Sequence, residues 1–308
     1  MLNDIAIVIP ILNEADTLPH LFKLLCAQTL LPKEIIFVDG GSTDSSNDLI
    51  NGWSNKSNNC IKIIVNKGGA PGANRNIGIK ETDCDWIAFI DAGVYPECDW
   101  LEELSKCAMQ QNVKAVFGVC HFNSDRSFEK AVCALSYGCD TIESVLPSSL
   151  FHKDIFVDIG HFKEGLRSTE DTLWIKKFEK TYGARTICSE ALVHYPNFPD
   201  SLGALVHKWR LYEENAVNAC LHRGQQLFFA LFFLIIIMMI LVSPMIGFLV
   251  LLIYVLIRGI LDPMRRSRSL FWWKKRPTSL FIALGLGIVI DTSKTIGSIT
   301  GHLKAIFR

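Results

Sequence analysis

Three short apolar runs in the N-terminal half of the chain each stop abruptly at acidic or turn-forming residues. The runs cover residues 5–9, 35–38 and 86–90. Wholly apolar runs of this length are typical of strands buried on both faces of a parallel sheet. In such sheets, ligands bind outside the carboxyl ends of the strands. The sequence therefore predicts one ligand-binding edge that gathers the acidic residues after the runs: Glu14, Asp39, Asp44 and Asp91.

Strand and helix signals alternate over residues 1 to about 120. Helices are expected at 18–25, 45–55, 73–80 and 100–111, and a further strand at 61–65. Alternation of this kind implies right-handed crossovers and a parallel sheet with helices on both faces. We therefore predict an α/β fold with a doubly wound, mostly parallel sheet.

The pattern is less regular between residues 127 and 194. We expect residues 128–149 to be helical and residues 160–165 to form a loop. Thr169, Glu170 and Asp171 should open a helix that runs to about Tyr182, since side chains of these types favour helix starts. A short strand at residues 191–195 closes the region.

Composition excludes some classes of protein. The formal net charge of the 308 residues is zero, so nothing overall indicates a nucleic-acid partner. None of the ten cysteines lies in a C-x-x-C pair, and most sit in apolar or helical stretches, so we expect reduced, buried thiols. The first apolar run is short and lacks a basic region before it, unlike a signal peptide. We therefore expect the catalytic part to face the cytoplasm.

Residues 227–257 contain no charged residue, which predicts a membrane segment. Pro244 interrupts the run near its middle. Basic residues flank both of its ends: Arg210, Arg223, Arg258, Arg265, Arg266, Arg268, Lys274, Lys275 and Arg276. The positive-inside rule places both flanks in the cytoplasm, which favours a hairpin that turns near Pro244. Each arm would have only about 15 residues, so both a re-entrant hairpin and two spans remain open.

These patterns divide the chain into four parts. Residues 1–200 form the α/β domain, and residues 201–226 an amphipathic interfacial helix. The membrane hairpin covers residues 227–257. A basic loop and an interfacial or membrane segment occupy residues 258–308, because the apolar run at 281–290 is too short to span a bilayer by itself.

Several motifs follow one another in a fixed order. They are I-P-x-x-N-E at 9–14, V-D-G-G-S-T-D at 38–44, A-P-G-A-N-R-N-x-G at 70–78, D-A-G at 91–93, G-x-F-x-E at 160–164 and E-D at 170–171. In this order and spacing, they resemble the family 2 glycosyltransferases with the GT-A fold, over about residues 3–215. The resemblance implies an inverting transfer of a sugar from a nucleotide donor, usually with a divalent cation.

Inversion requires a carboxylate to take the proton of the attacking acceptor hydroxyl. Asp171 stands in the position of the family's catalytic acidic motif and is our candidate base. Glu170 is the alternative base, or a residue that orients the acceptor hydroxyls. Thr169 and Asp171 can also cap the helix that they open, and the two roles are compatible.

The donor site is assigned by the same resemblance. Asp39 matches the family residue that hydrogen-bonds the nucleotide base, with uridine favoured, and Pro10 and Glu14 belong to the same pocket. Asn74 and Arg75 follow a glycine-rich loop at a helix start, a place suited to phosphate or sugar hydroxyls. Ordinary turn chemistry also explains the acid at Asp39-Gly40-Gly41. For Asp44, helix capping and ligand contact remain equally open.

The metal site departs from the family pattern. Asp91 corresponds to the first acid of the D-x-D motif, but Gly93 replaces the second. Mg²⁺ or Mn²⁺ can still be held by Asp91, the diphosphate and water. His194 is a candidate further ligand, although a lone histidine at a strand end is more often structural.

Together, these residues predict a membrane-associated inverting glycosyltransferase that uses a nucleotide-diphosphate sugar, with a UDP-sugar favoured. Its acceptor would be a membrane lipid or a lipid-linked molecule in envelope glycoconjugate synthesis. The family's processive synthases carry Q-x-x-R-W where this chain has residues 207–210, so polymer extrusion is disfavoured. Sugar-phosphate nucleotidyltransferases have a basic, glycine-rich loop after the first strand, which is missing here. A non-catalytic nucleotide-sugar-binding scaffold or sensor remains the alternative.

Overall fold

The apolar runs of the N-terminal half become neighbouring strands in a computed structural model of the chain, which describes residues 1–55 and 60–306. Within those residues, one sheet has eight strands, in the order β3-β2-β1-β4-β7-β6-β8-β5. The strands are β1 (Ile5–Ile11), β2 (Glu34–Asp39), β3 (Cys60–Val65), β4 (Trp86–Phe89), β5 (Tyr95–Pro96), β6 (Ala115–Phe122), β7 (Thr141–His152) and β8 (Ile187–Tyr195).

Helices lie between these strands, and further helices follow the last strand, β8. They are α1 (Leu18–Cys26), α2 (Ser46–Ser54), α3 (Pro71–Glu81), α4 (Trp100–Gln111), α5 (Ser127–Ser136), α6 (Asp154–Ile159), α7 (Glu170–Tyr182), α8 (Leu202–Asn218), α9 (Arg223–Val242), α10 (Pro244–Leu256), α11 (Asp262–Arg266) and α12 (Thr278–Ile306), with a π-helical turn at Ile257–Leu261. The chain divides into two compact units. The first contains residues 1–121 and 142–196, and the second contains residues 122–141 and 197–308.

The predicted α/β fold class is confirmed. Strand β1 pairs in parallel with both β2 and β4, and β2 pairs in parallel with β3. Ile11 lies opposite Asp39 at the carboxyl ends of β1 and β2. Strand β2 is buried along its whole length, as its apolar run requires. The remaining strands make the sheet mixed, because β4 pairs with β7 and β5 with β8 in antiparallel fashion.

The expectation of a helix through residues 128–149 is wrong after Ser136. Helix α5 ends there, and the positive φ angles of Gly138 and Asp140 turn the chain into strand β7. The strand is stabilised by backbone pairing with β4, in which Phe89 lies opposite Ser149. This pairing joins residues far apart in sequence, so a local pattern could not reveal it.

An aromatic core fixes α7 against the sheet in the first unit. Phe89 of β4 and Phe151 of β7 belong to this core together with Trp174 of α7, and each of these side chains is at most 1% exposed. The indole Nε1 of Trp174 donates to the carbonyl of Gly160 across 2.9 Å. The start of α7 and the loop before it are therefore held in place by burial and by a hydrogen bond.

In the second unit, α12 packs along α8 through a G-x-x-x-G pair. A Cβ atom on Gly297 would lie 2.3 Å from the carbonyl oxygen of Arg210, and one on Gly301 would lie 3.0 Å from Val217. Glycines spaced in this way let two helix backbones approach closely. The motif lies outside the apolar run at 281–290, so the hydropathy pattern does not point to it.

In the described part of the chain, three helices are long and apolar enough to cross a membrane: Arg223–Val242, Pro244–Arg266 and Thr278–Ile306. The first two meet at Pro244, as expected for a hairpin. The expected arms of about 15 residues were too short, because helix continues beyond the uncharged run at both ends. The apolar run at 281–290 is part of α12, which has 29 residues, and whether this segment spans the membrane or lies at its interface stays a prediction.

All ten cysteines lie in the described part of the chain and are free thiols, as predicted. Burial was predicted for each of them and holds for six. The four exposed cysteines are Cys26, Cys60, Cys98 and Cys220.

Candidate active site

The loop after β2 is organised by the carboxylate of Asp39. This side chain is fully buried and accepts hydrogen bonds from the backbone and hydroxyl of Ser42, at 2.9 and 2.6 Å, and from Asn47 at 2.8 Å. Burial opposes ionisation, but these hydrogen bonds outweigh it and lower the pKa of Asp39. In this geometry Asp39 holds the turn together. Its contact with a nucleotide base stays a prediction, and that contact would require the Ser42 loop to open.

Two further acids border this loop. Asp44 is exposed and accepts from the backbone of Ala15 and Ser46, each at 3.0 Å, so it ties the start of α2 to the loop after β1. Glu14 accepts from the Thr17 hydroxyl at 2.6 Å. Burial raises the pKa of Glu14, and the like charges of Asp91 and Asp44 add to the effect. Asp44 and Asp91 are therefore both close enough to Glu14 to repel its charge, as expected for acids at one sheet edge.

Pro10 and Asn74 lie deeper in the same edge. Pro10 is half-buried in β1, opposite Val38. The Asn74 side chain is 2% exposed, and it donates to the carbonyl of Val38 at 3.2 Å and accepts from Asn66 at 3.0 Å. Its amide therefore fastens α3 to β2. A direct contact between Asn74 and a sugar or phosphate stays a prediction.

Arg75 is the centre of the site. Its side chain is 3% exposed, and it donates from Nη1 to Glu170 and from Nη2 to Asp91, each across 2.7 Å. Burial disfavours the charge, but the two carboxylates outweigh this and raise the pKa of Arg75. The guanidinium lies 5.8 Å from the ring centre of Phe162. Arg75 thus links the end of β4 to the start of α7.

The two acids on this bridge differ in exposure. The side chain of Glu170 is 5% exposed, whereas that of Asp91 is 37% exposed. Burial raises the pKa of Glu170, Arg75 opposes this and neighbouring Asp171 adds to it. Among the described residues, Glu170 Oε2 has no hydrogen-bond partner. Asp91 is therefore the carboxylate that a ligand can reach, and Glu170 is held below the surface.

The start of α7 approaches the start of α3 at Gly72. A Cβ atom there would lie 2.8 Å from the carbonyl oxygen of Lys163 and 3.0 Å from Cγ of Glu170. Thr169 precedes α7 with a φ of 72°, in the left-handed region. Any side chain larger than hydrogen at position 72 would move the Arg75–Glu170 pair. Close packing of α3 against the start of α7 therefore explains the glycine in the A-P-G motif.

Asp171 is the half-exposed member of the E-D pair. Its Oδ1 accepts from the backbone of Thr172 at 2.6 Å and from the hydroxyl of Thr172 at 3.3 Å. Asp171 therefore satisfies one backbone N–H at the helix start, whereas the predicted cap by Thr169 is not formed, because its side chain makes no capping hydrogen bond. Asp171 also remains accessible, unlike Glu170.

The candidate metal ligands are not gathered into a cage. His194 binds Glu97 through Nε2 at 2.6 Å, and its Nδ1 lies 3.3 Å from Nδ1 of His121. Within residues 1–55 and 60–306, no three histidine, cysteine or acidic side chains are arranged to hold a metal ion. A cation at this edge would therefore depend on Asp91 and on oxygens that the protein does not supply. This fits Mg²⁺, which commonly uses one or two carboxylates and substrate phosphates.

Sequence reasoning found most of the residues at this edge but missed how they are connected. It did not pair Arg75 with Glu170, and it did not single out Ser42, Asn47, Glu97 or His121. The A-P-G-A-N-R-N motif was the available signal for Arg75, since a basic residue fixed one turn into a helix can reach neighbouring strand ends.

The comparisons with known proteins agree with this architecture. A model of the family "Glycosyl transferase family 2" matches residues 6–162, about half of the chain. Poly(ribitol-phosphate) beta-glucosyltransferase of Bacillus spizizenii is 44% identical over 96 residues, which is 30% of this chain and 15% of that protein. Glycosyltransferase AglE of Haloferax volcanii is 25% identical over 215 residues, which is 66% of this chain and 70% of AglE. The first of these matches thus spans a small part of its relative.

Among solved structures, the mannosyltransferase PcManGT from Pyrobaculum calidifontis, in complex with GDP-Man and Mn²⁺, has a similar fold. The TM-score is 0.51 at 14% identity, and the match covers 70% of this chain and 64% of that one. This likeness concerns the fold alone. The family match includes the loops after β1, β2 and β4 and the whole of α3. On the strength of that match, the chain belongs to glycosyl transferase family 2.

Proposed function

We propose that this protein is an inverting glycosyltransferase, which moves a sugar from a nucleotide-diphosphate donor to a membrane-proximal acceptor. One observation carries the proposal: Arg75 connects the ligand-accessible Asp91 to the E-D pair through two 2.7 Å ion pairs. That connection holds a donor-side acid and an acceptor-side acid around one guanidinium. Such fixed geometry is what transfer between two bound substrates requires.

On the donor side, the nucleotide would lie over the loops after β1 and β2. Asp39 shapes the floor of this region, and Glu14 and Asp44 supply carboxylates at its rim. A ribose or base offers hydroxyl and N–H donors to such acceptors. A UDP-sugar is our favoured donor, although PcManGT, which shares the fold, binds GDP-Man.

On the acceptor side, Asp171 would take the proton of the attacking hydroxyl. Its exposure supports this assignment, because a general base must be reachable by the acceptor. Glu170 is buried and paired with Arg75, which suits a positioning residue that fixes α7 rather than the base itself. As the hydroxyl attacks the anomeric carbon, its proton passes to Asp171 and the nucleoside diphosphate leaves from the opposite face.

A divalent cation, Mg²⁺ or Mn²⁺, would be held by Asp91 together with the donor diphosphate. When bound, it would supply positive charge to the leaving diphosphate. The 37% exposure of the Asp91 side chain supports this role. His194 is a weaker candidate, because it is occupied by Glu97 and His121.

The acceptor and the location of the protein are inferred from the apolar helices. Three candidate spans support association with a membrane. We propose that the catalytic unit faces the cytoplasm, where nucleotide sugars are made, and that the acceptor is a lipid or a lipid-linked molecule of an envelope glycoconjugate. The basic residues at both ends of the α9–α10 hairpin support this orientation.

The proposal is tested by donor turnover with the purified, detergent-solubilised chain. We expect Asp171→Asn to lose at least about 100-fold in turnover, the scale of general-base catalysis, while still binding the donor. Asp154→Asn is the matched control, because it removes an acid from the first turn of α6 and should leave turnover unchanged. Full activity of Asp171→Asn with an intact fold would refute the base assignment.

A donor screen by thermal stabilisation separates this proposal from its alternative. An enzyme should be stabilised by one nucleotide sugar and should hydrolyse or transfer it. Stabilisation without turnover, across lipid, lipid-phosphate and sugar acceptors, would instead support a nucleotide-sugar-binding scaffold or sensor.

A further inference from the structure

The α9–α10 hairpin encloses a groove with a volume of about 530 Å³. This volume lies within the range of roughly 300–1,000 Å³ that small-molecule sites usually have. Most of the lining is apolar: Phe228, Phe229, Phe232, Val250, Ile253, Tyr254, Ile257 and Leu261. Three charged residues complete it: Arg258, Asp262 and Arg265. The groove is therefore a hydrophobic slot with a charged mouth.

The polarity of the groove changes in one direction along the hairpin. The turn of the hairpin lies at Ser243-Pro244, and the lining nearest to it, such as Val250, is apolar. The charged residues lie at the opposite end, beyond Ile257. Helix α9 has 20 residues and is thus about 30 Å long, which matches the hydrocarbon thickness of a bilayer. A lipid in a leaflet has the same arrangement, with its head at the surface and its chain inward.

The mouth carries more positive than negative charge. Asp262 accepts from Arg258, Arg265 and Arg266 at 2.9, 3.3 and 2.9 Å, and Arg258 also pairs with Asp291 at 2.8 Å. Of these residues, Arg258, Asp262 and Arg265 line the groove, so two guanidinium groups stand beside one carboxylate at its mouth. The side chain of Arg265 is 79% exposed. Its planar fork of N–H donors is suited to bidentate binding of a phosphate.

The floor of the groove is held in one conformation by buried polar contacts. The Tyr254 hydroxyl donates to Asp291 at 2.7 Å, and Asp291 is 1% exposed. The π-helical turn at Ile257–Leu261 contains Arg258 and connects the apolar lining to Asp262 and Arg265. Such turns are rare and occur frequently at functional sites. The groove is thus a formed site rather than a gap between two loosely packed helices.

We propose that this groove binds one anionic phospholipid of the bilayer, with its chain along Phe232 and Ile253 and its phosphate at Arg265. The surplus positive charge at the mouth selects an anionic head group, and the apolar slot accepts the chain. This inference goes beyond sugar transfer, because lipid binding here requires neither a donor nor the residues around Arg75.

The experiment uses the full chain, purified in detergent and offered phosphatidylglycerol and phosphatidylcholine in equal amounts. Native mass spectrometry then counts the lipids retained after detergent exchange. We expect one retained phosphatidylglycerol, Ile253→Trp to lose it by filling the slot, and Arg265→Gln to reduce the preference for it about tenfold. Leu249→Trp and Lys274→Gln are matched controls, because both residues are exposed and neither lines the groove.

Three results would overturn the proposal. They are equal retention of the two phospholipids, unchanged retention by Ile253→Trp, and displacement of phosphatidylglycerol by an equimolar polyprenyl monophosphate, which would assign the groove to an acceptor instead. Monodisperse elution and an unchanged helix signal in circular dichroism establish that each variant is folded. Donor-induced thermal stabilisation is measured on the same samples, so a failure of lipid binding is distinguished from a failure of the glycosyltransferase proposal.

Discussion

Arg75 donates to Glu170 across 2.7 Å, although the two residues are 95 positions apart in sequence and both are almost completely buried. The same guanidinium holds Asp91, which lies at the end of a different element. Glu170 at the start of α7 and Asp91 after β4 therefore share one counter-ion.

Removing this counter-ion should destabilise the first unit. Arg75→Met leaves the Glu170 carboxylate buried without its partner, which typically costs about 3–5 kcal/mol. Urea unfolding followed by tryptophan fluorescence measures the change. The double variant Arg75→Met, Glu170→Gln should recover part of the loss, because no buried charge then remains unpaired. Equal stability of the single and double variants would show that the pair is not coupled.

The glycine at the start of α3 should be sensitive to the smallest enlargement. Gly72→Ala introduces a methyl group 2.8 Å from the Lys163 carbonyl oxygen and should reduce the free energy of unfolding by about 1–3 kcal/mol. It should also weaken donor binding, measured by calorimetry, because Glu170 must shift. Gly52→Ala is the control: a Cβ atom there meets nothing within 4 Å, so the helix should gain up to about 1 kcal/mol. A stabilising Gly72→Ala would contradict the tight packing.

The stability of the fold should fall in acid partly because of Asp39. Since its pKa in the folded protein lies below the ordinary 3.8, the ionised form contributes stability that is fully present above that value. As the pH falls below about 4, protonation removes this contribution. The difference in unfolding free energy between wild type and Asp39→Asn should therefore shrink between pH 6 and pH 3. Exposed Asp16→Asn serves as control, and a constant difference for Asp39→Asn would refute the argument.

Metal dependence should reside at Asp91 and not at His194. In a thermal-shift titration with a donor nucleotide sugar, Mn²⁺ should enhance the stabilisation of the wild-type chain. Asp91→Asn should abolish that enhancement, whereas His194→Gln should retain it because His194 is engaged with Glu97. If His194→Gln lost the Mn²⁺ enhancement and Asp91→Asn kept it, the result would support His194 as the metal ligand instead.

The packing of α12 on α8 should depend on Gly297. Gly297→Ala places a methyl group 2.3 Å from the carbonyl oxygen of Arg210, so it should lower the melting temperature in detergent by several degrees. Gly285 lies on the same helix, and a Cβ atom there would meet nothing within 4 Å. Gly285→Ala should therefore leave the melting temperature unchanged or raise it. Equal melting temperatures for the two variants would show that the helices are not closely packed.

The sequence allowed strands β1, β2 and β4 to be predicted to within two residues at each end, because strands buried on both faces are continuously apolar. Strand β7 was missed because its first half is exposed or half-buried and because it depends on pairing with β4, which is distant in sequence. The length of α12 was missed because Asp291 and Lys294 interrupt its apolar run. In the structure, Asp291 pairs with Arg258, and Lys294 lies 4.3 Å from the ring centre of Trp209.

In the candidate site, the position of the acids could be predicted from strand ends, but their partners could not. The hydrogen bonds that occupy Asp39 and Asn74 come from Ser42, Asn47 and Asn66, which are common loop residues with no distinctive pattern. The Arg75 bridge depends on how α3 and α7 pack, and that packing is set by the absence of a side chain at Gly72.

Helix α5 belongs to the second unit but is synthesised before residues 142–196 of the first unit. Residues 122–141 leave the ribosome before residues 197–308, with which they form one compact unit. Until α12 is synthesised, the apolar face of α5, which includes Ala131, Val132 and Leu135, lacks the helix that packs on it. A chain cut at residue 196 should therefore be prone to aggregation even if its sheet is complete. The second unit cannot be removed by cutting the chain once, because its residues 122–141 lie between the two segments of the first unit.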